Sequence, residues 1–375
     1  MKRSPILSGI ILLVLLTFAC KSPDKIIRSG NYFAAGDPLV HYTGRVLHSG
    51  KGAVTFSFPA VTVEFAFTGP DLIINVQDMP QKGNQPDGKP TRNFLEVSID
   101  SGKAFVLELS ADESLYKIAS GLSGENHTAK ISKRTEALVG KIEFRGLWLA
   151  EGEKLMPVTG REHNIQFIGN SISCGYGVEA DSAGDPFGCE TENAMISYAS
   201  LTANNLNAAY HIIAFSGRGI AQNYNKSRVN TMPVIWEQTF PDETEPAWDH
   251  SLFTPEVVVI NLGTNDFNCG ETDTALFRQK YHEFITRIRE VHPQSLIICT
   301  TGPMLNDAYP VNSLSTIRYL LQTIVARHPA DNLYFFEMSQ QTGDLGYGAD
   351  WHPSAAQQER NANELTAYIR SLTGW

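Results

Sequence analysis

Short runs in the first half of the chain alternate hydrophobic and polar residues. Val61–Phe67, Phe94–Ile99 and Ile142–Leu149 are examples, and turn signals such as Asp100-Ser101-Gly102 separate them. A period of two places alternate side chains on the same face of a strand, and many short strands with hardly any helical pattern favour two packed sheets. We therefore expect residues 21–155 to form an all-β domain, a sandwich of the jelly-roll type.

From about Arg161 the pattern changes to fully apolar runs separated by amphipathic stretches. The apolar runs include Val257–Leu262 and Leu296–Thr300. The amphipathic stretches lie near Thr274–Val291, Ser313–Arg327 and Ala355–Leu372. Apolar strands that alternate with helices are typical of a parallel sheet covered on both faces. Residues 156–375 are therefore expected to form a three-layer α/β domain with a parallel sheet.

The N-terminus has the layout of a bacterial export signal. Lys2 and Arg3 precede an apolar run from Pro5 to Ala19, and Cys20 follows. The last four of these residues, Thr17 to Cys20, resemble a lipobox, in which the cysteine becomes the lipidated first residue. Residues 1–20 are thus interpreted as a lipoprotein signal peptide, which predicts lipidation at Cys20 and an outer-membrane or periplasmic location. An ordinary cleaved signal or an uncleaved anchor is the alternative.

The bulk composition limits the classes of partner. With 375 residues, of which 42% are hydrophobic, the chain is long enough for about two domains. Lys and Arg number 30 against 40 Asp and Glu, a formal net charge of -10 at pH 7. This balance leaves no basic footprint for nucleic acid or for an anionic membrane, so membrane contact is expected only through the lipid anchor. A neutral small molecule or a polysaccharide is the expected partner, and the sequence indicates no particular oligomeric state.

Four cysteines remain if Cys20 is lipidated: Cys174, Cys189, Cys269 and Cys299. Export into an oxidising compartment permits disulfides. Cys174 and Cys189 are the one pair that encloses a short loop, so a disulfide between them is predicted. Four buried thiols are the alternative.

A candidate nucleophile follows an apolar strand pattern that begins at Asn164. The pattern stops at the turn Gly169-Asn170-Ser171, which can present the Ser171 hydroxyl. A serine reacts poorly unless a base removes its proton and nearby donors stabilise the oxyanion that forms. The backbone N–H of Ser171 can be one of these donors, because it lies where a strand ends.

Two further donors and a loop anchor follow other predicted strands. Gly217 comes after the run His211–Phe215, and either Gly217 or Gly219 could donate its N–H, with Gly217 favoured. Asn265 follows Val257–Leu262 and can donate its side-chain amide. The carboxyl ends of parallel strands meet at one edge of a sheet, so these residues are expected to converge on Ser171. The neighbouring Asp266 is expected to fix the loop through hydrogen bonds.

The candidate base is His352, in the segment Asp350-Trp351-His352-Pro353 before the last helix. A histidine can take the serine proton near neutral pH and return it to the leaving group. Asp350 is expected to orient the imidazole and to stabilise its charged form.

These four blocks, in this order, resemble the SGNH hydrolases, a superfamily of serine esterases. The match is closer to carbohydrate esterase family two, on Ser171-Ile172-Ser173-Cys174-Gly175-Tyr176-Gly177, Thr191-Glu192-Asn193, Ser216-Gly217-Arg218-Gly219 and Asp350-Trp351-His352-Pro353, together with the preceding β domain. The resemblance implies a jelly-roll domain joined to an SGNH-type domain. It implies removal of acetyl groups from xylan, glucomannan or related sugars through an acyl-enzyme, with no metal or other cofactor.

The resemblance also bears on three supporting residues. The superfamily commonly places its acid three residues before the histidine, whereas Asp350 stands two before His352. Some family members orient the histidine through main-chain carbonyls, so a Ser171–His352 dyad is the alternative to a triad. Tyr224 and Trp351 are expected to contact substrate, with ordinary core packing as the alternative for Tyr224.

Two other functions compete with a polysaccharide acetylesterase. One is another SGNH activity on small acyl esters, or a lipase, which should prefer long acyl groups. The other is a surface lipoprotein that binds glycan without catalysis.

Overall fold

The computed structural model describes residues 30–375 except 51, 87, 101, 242, 269–271, 309–310 and 329–331. The predicted signal peptide and the lipidation site at Cys20 lie outside the described residues, as does Cys269. Within the described ranges, no helix is both long enough and apolar enough to span a membrane.

The first domain is built from antiparallel strands alone. Its described residues form β1 (Asn31–Ala34), β2 (His41–Thr43), β3 (Leu47–His48), β4 (Val54–Phe56), β5 (Thr62–Thr68), β6 (Leu72–Pro80), β7 (Phe94–Ile99), β8 (Phe105–Glu108), β9 (Leu115–Ala119), β10 (Asn126–Lys133), β11 (Gly140–Leu149) and β12 (Leu155–Met156). One sheet has the order β3-β4-β11-β6-β9, and β1 also pairs with β11. The other has the order β12-β5-β10-β7-β8, and β2 pairs with β5. The predicted all-β sandwich is confirmed.

The alternation along these strands builds the core between the two sheets. Buried and half-buried residues alternate along most of β6 and β11. Inward-facing side chains such as Phe65, Val97 and Phe144 are almost completely buried. The register of β11 against β6 shifts between Phe144 and Gly146. Gly146 has φ +142°, and a Cβ there would lie 2.2 Å from the Phe33 carbonyl oxygen, so this bulge requires glycine.

The second domain contains a five-stranded parallel sheet. Its strands are β13 (His163–Gly169), β14 (Ala208–Ala214), β15 (Val257–Asn261), β16 (Leu296–Thr301) and β17 (Leu333–Glu337), in the order β14-β13-β15-β16-β17. The α-helices of the described residues are α1 (Ser171–Cys174), α2 (Tyr198–Asn205), α3 (Met232–Trp236), α4 (Thr264–Phe267), α5 (Thr274–Val291), α6 (Ser313–Ala326) and α7 (Ala355–Thr373). The predicted α/β domain with a parallel sheet is therefore confirmed.

The sheet order decides where the candidate residues meet. β13 lies between β14 and β15, and all three strands run parallel. Their carboxyl ends, at Gly169, Ala214 and Asn261, therefore lie side by side at one edge of the sheet. The loops that carry the predicted nucleophile and both predicted side donors begin at these three positions.

The connection between β10 and β11 brings the first domain against the second. The carbonyl of Arg134 accepts a hydrogen bond from the backbone N–H of Ala194 at 2.9 Å. The guanidinium of Arg134, which is almost fully buried, pairs with the carboxylate of Glu179. Both partners belong to the segment between α1 and α2, immediately after the candidate nucleophile.

Candidate active site

Ser171 is the first residue of α1 and follows directly on β13. Asn170 caps the helix, because its side-chain oxygen accepts a hydrogen bond from the Ile172 N–H at 3.1 Å. The turn is tight: a Cβ on Gly169 would lie only 2.0 Å from the Ser173 hydroxyl oxygen. In the first turn of a helix the backbone N–H groups have no partner within the helix, so the N–H of Ser171 is available to a ligand.

His352 completes a short hydrogen-bonded chain with Ser171. Its Nε2 lies 2.9 Å from the Ser171 hydroxyl oxygen, and its Nδ1 lies 3.1 Å from the carbonyl oxygen of Ala349. A carbonyl can only accept, so in the neutral imidazole Nδ1 carries the proton and Nε2 is the acceptor for the serine hydroxyl. The geometry is that of a nucleophile held by its general base.

The protonation state of His352 suits this role. Burial lowers the pKa of His352 from 6.5 to about 4, while the Ala349 carbonyl and the charge of Asp350 act in the opposite direction. At neutral pH the imidazole is therefore uncharged and can take a proton from Ser171.

Asp350 does not orient the imidazole, and this part of the prediction is wrong. Its carboxylate instead accepts a hydrogen bond from the Tyr176 hydroxyl at 2.7 Å. Asp350 and Trp351 both have left-handed backbones, with φ +49° and +61°, so the chain turns sharply between the carboxylate and His352. The observed arrangement is the dyad held by the main chain, and the carboxylate of Asp350 acts on His352 through its charge.

Tyr176 is a site residue to which the sequence analysis gave no role. Its ring stacks on the imidazole of His352 with a centroid distance of 4.2 Å, and it also packs against the ring of Phe187 at a centroid distance of 4.6 Å. Burial and the Asp350 carboxylate raise the pKa of Tyr176, so its hydroxyl stays protonated and donates to Asp350. The sequence feature that could have identified Tyr176 is its position five residues after Ser171, in the motif from Ser171 to Gly177.

Of the two candidate glycine donors, Gly217 has the free N–H. It lies in a turn with φ +76°, and its carbonyl accepts from the Tyr224 N–H at 2.7 Å. The Gly219 N–H instead donates to the Asn223 side chain at 3.3 Å. Within the described ranges the Gly217 N–H has no hydrogen-bond partner, which leaves it open to a substrate oxygen.

Asn265 lies beside this turn, and Asp266 holds it. The Asn265 side-chain nitrogen donates one hydrogen to the Arg218 carbonyl at 2.8 Å, which leaves its second hydrogen for a ligand. The carboxylate of Asp266 accepts from three consecutive N–H groups, those of residues 220 to 222. Burial nevertheless raises the pKa of Asp266 to about 6. The expectation that Asp266 fixes the loop is confirmed.

The two residues predicted to contact substrate are exposed at the edge of the site. Tyr224 is 56% exposed and lies next to Gly217, and Trp351 is 61% exposed and packs edge-on against the ring of Tyr347. Exposure of this kind is incompatible with core packing. Contact with substrate stays a prediction for both residues.

The predicted disulfide between Cys174 and Cys189 is absent, because both are free buried thiols. Cys174 ends α1 beside Glu136, and Cys189 packs with Phe94 and Val139 of the first domain. The two thiols therefore face different surroundings although the loop between them is short. Burial raises the pKa of Cys189 to about 12, which keeps it protonated.

A second residue that sequence analysis missed comes from the other domain. Glu136, between β10 and β11, is completely buried and accepts hydrogen bonds from the backbone and the hydroxyl of Ser216, the residue before Gly217. Glu136, Cys174 and Glu192 are also the one set of three potential metal ligands that lie close together in the described part of the chain. No local motif links Glu136 to a loop that lies 80 residues further along the chain.

Models of two known families match the chain. The family described as carbohydrate esterase 2 N-terminal matches residues 42–158, and the GDSL-like lipase/acylhydrolase family matches residues 167–360. The first match lies in the β-sandwich, and the second includes Ser171, Asn265 and His352.

Curated relatives and solved structures extend this likeness over most of the chain. The cellulase/esterase CelE of Acetivibrio thermocellus is 34% identical over 342 residues, which are 90% of this chain and 40% of CelE. The chain thus spans well under half the length of that relative. An acetylxylan esterase/glucomannan deacetylase of Cellvibrio japonicus is 26% identical over 359 residues, 95% of each protein. A family two carbohydrate esterase from Clostridium thermocellum, solved in complex with cellohexaose, has a TM-score of 0.81 and 33% identity, and covers 90% of this chain and 99% of its own.

Proposed function

The chain belongs to carbohydrate esterase family two, and from that premise we propose that it is a serine esterase that removes O-acetyl groups from a plant polysaccharide such as acetylated xylan or glucomannan. The single observation that carries the proposal is the 2.9 Å contact between the Ser171 hydroxyl and Nε2 of His352, with Nδ1 anchored on a carbonyl. Relatives named as acetylxylan esterases and glucomannan deacetylases support the substrate class.

The reaction is acyl transfer through Ser171. His352 takes the hydroxyl proton as the serine oxygen attacks the acetyl carbonyl, and the resulting oxyanion accepts hydrogen bonds from the N–H groups of Ser171 and Gly217 and from the Asn265 amide. His352 then returns the proton to the sugar oxygen, which leaves as an alcohol. A water molecule attacks the acetyl-enzyme in the same way and releases acetate.

A cleft between the two domains fits a sugar chain. Its volume is about 530 Å³, and it extends from Tyr176 beside the catalytic dyad to the loop between β6 and β7. Its wall combines aromatic and amide side chains: Tyr176, Phe187, Phe215, Gln81, Asn84 and Gln85. Aromatic rings that pack on sugar faces and amides that bond to hydroxyl groups are the chemistry that a neutral polysaccharide needs. We assign this cleft to the sugar backbone on either side of the acetylated residue.

Acetate release tests the proposal directly. The purified protein should release acetate from acetylated xylan or glucomannan, and Ser171→Ala should lower turnover by roughly 10⁴-fold or more. Ser371→Ala, an exposed serine on α7, is the matched control and should behave as the unaltered protein. Full activity in Ser171→Ala would rule out this mechanism.

A series of 4-nitrophenyl esters with acyl chains of increasing length distinguishes the competing activities. A polysaccharide acetylesterase should prefer the acetyl ester, whereas a preference for long chains would indicate a lipase. Binding of the polysaccharide with no release of acetate would indicate a glycan-binding protein without catalysis.

We also propose that the protein is exported and held at the membrane through a lipid on Cys20. The proposal rests on the charged, apolar and cysteine-terminated order of residues 1–20. Labelled palmitate should be incorporated into the protein in a bacterial host, and Cys20→Ser should abolish the labelling. Labelling that persists in Cys20→Ser would refute the assignment.

A further inference from the structure

A fully buried group of charged side chains joins the two domains behind the glycine turn. Lys133 and Glu136 come from the end of β10 and the connection that follows it, and Glu192 comes from the segment between α1 and α2. All three side chains have no solvent exposure. Burial of charge is costly unless each group is paired, so such a cluster needs a reason.

The carboxylate of Glu136 holds both polar groups of Ser216. One oxygen accepts the Ser216 backbone N–H at 2.8 Å, and the other accepts the Ser216 hydroxyl in a short hydrogen bond. The peptide unit that follows Ser216 carries the N–H of Gly217. Glu136 therefore fixes the orientation of the one free donor of this turn from its N-terminal side.

The C-terminal side of the same turn is fixed independently. The Gly217 carbonyl accepts from Tyr224, and the Arg218 carbonyl accepts from Asn265. Asp266 binds the N–H groups of the next residues. Glu136 supplies the side-chain anchor ahead of Gly217, and it does so from the other domain.

Burial raises the pKa of Glu136 above its ordinary value, while the two hydrogen bonds from Ser216 and the charge of Lys133 act in the opposite direction and favour the ionised form. The Lys133 ammonium donates to the carbonyls of Thr135 at 2.7 Å and of Glu136 at 2.8 Å, and burial lowers the pKa of Lys133 to about 8, so it is still mostly cationic at neutral pH. Burial and the charge of Glu136 raise the pKa of Glu192 well above its ordinary value. Of the two buried acids, Glu192 is therefore the one driven further towards its neutral form, and the Lys133 ammonium offsets negative charge on Glu136.

The same atoms are poor ligands for a metal ion. Glu136, Cys174 and Glu192 place three ligand atoms within 4.8 Å of one another. Both oxygens of Glu136 already accept hydrogen bonds from Ser216, and one oxygen of Glu192 accepts the Glu136 N–H at 2.9 Å. The Lys133 ammonium supplies the positive charge that a cation would bring.

We propose that Glu136 is a positioning residue for catalysis, which holds Ser216 across the domain interface so that the Gly217 N–H points at the oxyanion. The proposal rests on the proposed esterase function. It gives the β domain a part in the reaction that does not depend on sugar binding.

The test compares isosteric changes of the two glutamates on 4-nitrophenyl acetate, a substrate too small to use the sugar cleft. Glu136→Gln keeps the size of the side chain, but it removes the negative charge, and its amide nitrogen cannot accept a hydrogen bond from Ser216. It should lower kcat by about ten- to a hundredfold, less than the loss of a whole oxyanion donor, with KM within about twofold. Ser216→Ala, which removes one of the two bonds, should show a smaller loss of kcat.

Glu192→Gln is the matched buried control, because glutamine resembles the neutral form that burial favours for Glu192. It should lower kcat by no more than about threefold. Glu151→Gln, at an exposed turn of the β domain, controls for the change of net charge. Melting temperatures of all variants show whether each is folded at the assay temperature.

The outcomes separate the two proposals. If the unaltered protein hydrolyses 4-nitrophenyl acetate while Glu136→Gln retains its full kcat, the positioning role is wrong and the esterase proposal stands. Equal losses of kcat and of melting temperature in Glu136→Gln and Glu192→Gln would reduce Glu136 to a structural residue and overturn the proposal. If the unaltered protein hydrolyses no ester, the esterase proposal itself fails.

Discussion

The imidazole of His352 is oriented by the carbonyl of Ala349, 3.1 Å from Nδ1, and not by a carboxylate. Ala349 is itself held, because its N–H donates to the Gly177 carbonyl at 2.9 Å. The next two residues also donate their N–H groups to the segment between α1 and α2. The loop that carries the base is thus tied to the segment that follows the nucleophile, which maintains the contact between Ser171 and His352.

Because a main-chain carbonyl orients His352, substitution of Asp350 should have only a small effect on catalysis. We expect Asp350→Asn to keep kcat/KM within about tenfold of the unaltered protein, whereas loss of a triad aspartate costs about 10⁴-fold. Asparagine accepts the left-handed backbone at this position and can still accept the Tyr176 hydroxyl. Hydrolysis of 4-nitrophenyl acetate measures the effect. A loss of kcat/KM beyond about a thousandfold would show that Asp350 acts as the third member of a catalytic triad.

The low pKa of His352 predicts that kcat/KM stays high down to an unusually low pH. Protonated imidazole cannot take the Ser171 proton, so kcat/KM should fall as the pH drops through about 4, not through 6.5. The charge of Asp350 raises this pKa, so Asp350→Asn should move this acid limb of the pH profile to still lower pH. A limb at 6.5, or an upward shift in the variant, contradicts the prediction.

The lowered pKa of His352 also makes the free energy of unfolding depend on pH. The pKa of His352 is lower in the folded protein than in the unfolded chain, so between pH 6.5 and 4 the unfolded chain binds more protons. The contribution of His352 to the free energy of unfolding is therefore complete above pH 6.5 and is lost as the pH falls towards 4. Circular dichroism at each pH of the kinetic profile separates this loss of folded protein from the titration of the base.

Patterns that depend on one element at a time predicted most of the fold. α5 runs from Thr274 to Val291, as the helical period indicated, and β7 matches its alternating run. The sequence did not predict α2 because this helix is not amphipathic. Residues on several of its sides are fully buried: Tyr198, Ala199, Ser200 and Thr202. A helix enclosed on several sides has no polar face from which a period of 3.6 could be recognised.

The candidate site, too, was predicted where it depends on local sequence and missed where it depends on tertiary structure. Ser171 and His352 lie on local turns with recognisable neighbours, and their pairing was predicted. Asp350 was misassigned because its orientation depends on two successive left-handed residues, which the sequence does not reveal. Glu136 was missed because its partner, Ser216, lies in another domain, and only the packing of the two domains brings them together.

The ring of Tyr176 should control the environment of the base. Tyr176→Phe loses the bond to Asp350 but keeps the ring on His352, so kcat should change by no more than a few fold. Tyr176→Ala opens one face of the imidazole to water, which weakens the burial that lowers its pKa. The acid limb of kcat/KM should then move up towards 6.5, and a limb that stays at about 4 contradicts this account.

The two glycines of the turn should respond differently to alanine, although both variants keep the N–H. A Cβ on Gly219 would lie 2.0 Å from the Gln222 carbonyl oxygen and 2.4 Å from the Asp266 carboxylate, so the loop must shift. A Cβ on Gly217 meets only the Cβ of Tyr224 at 3.7 Å, and the cost is that of a left-handed alanine, roughly 1 kcal/mol. Gly219→Ala should therefore lower both kcat and the melting temperature more than Gly217→Ala. The reverse order would mean that backbone conformation, not the packing against Asp266, limits this loop.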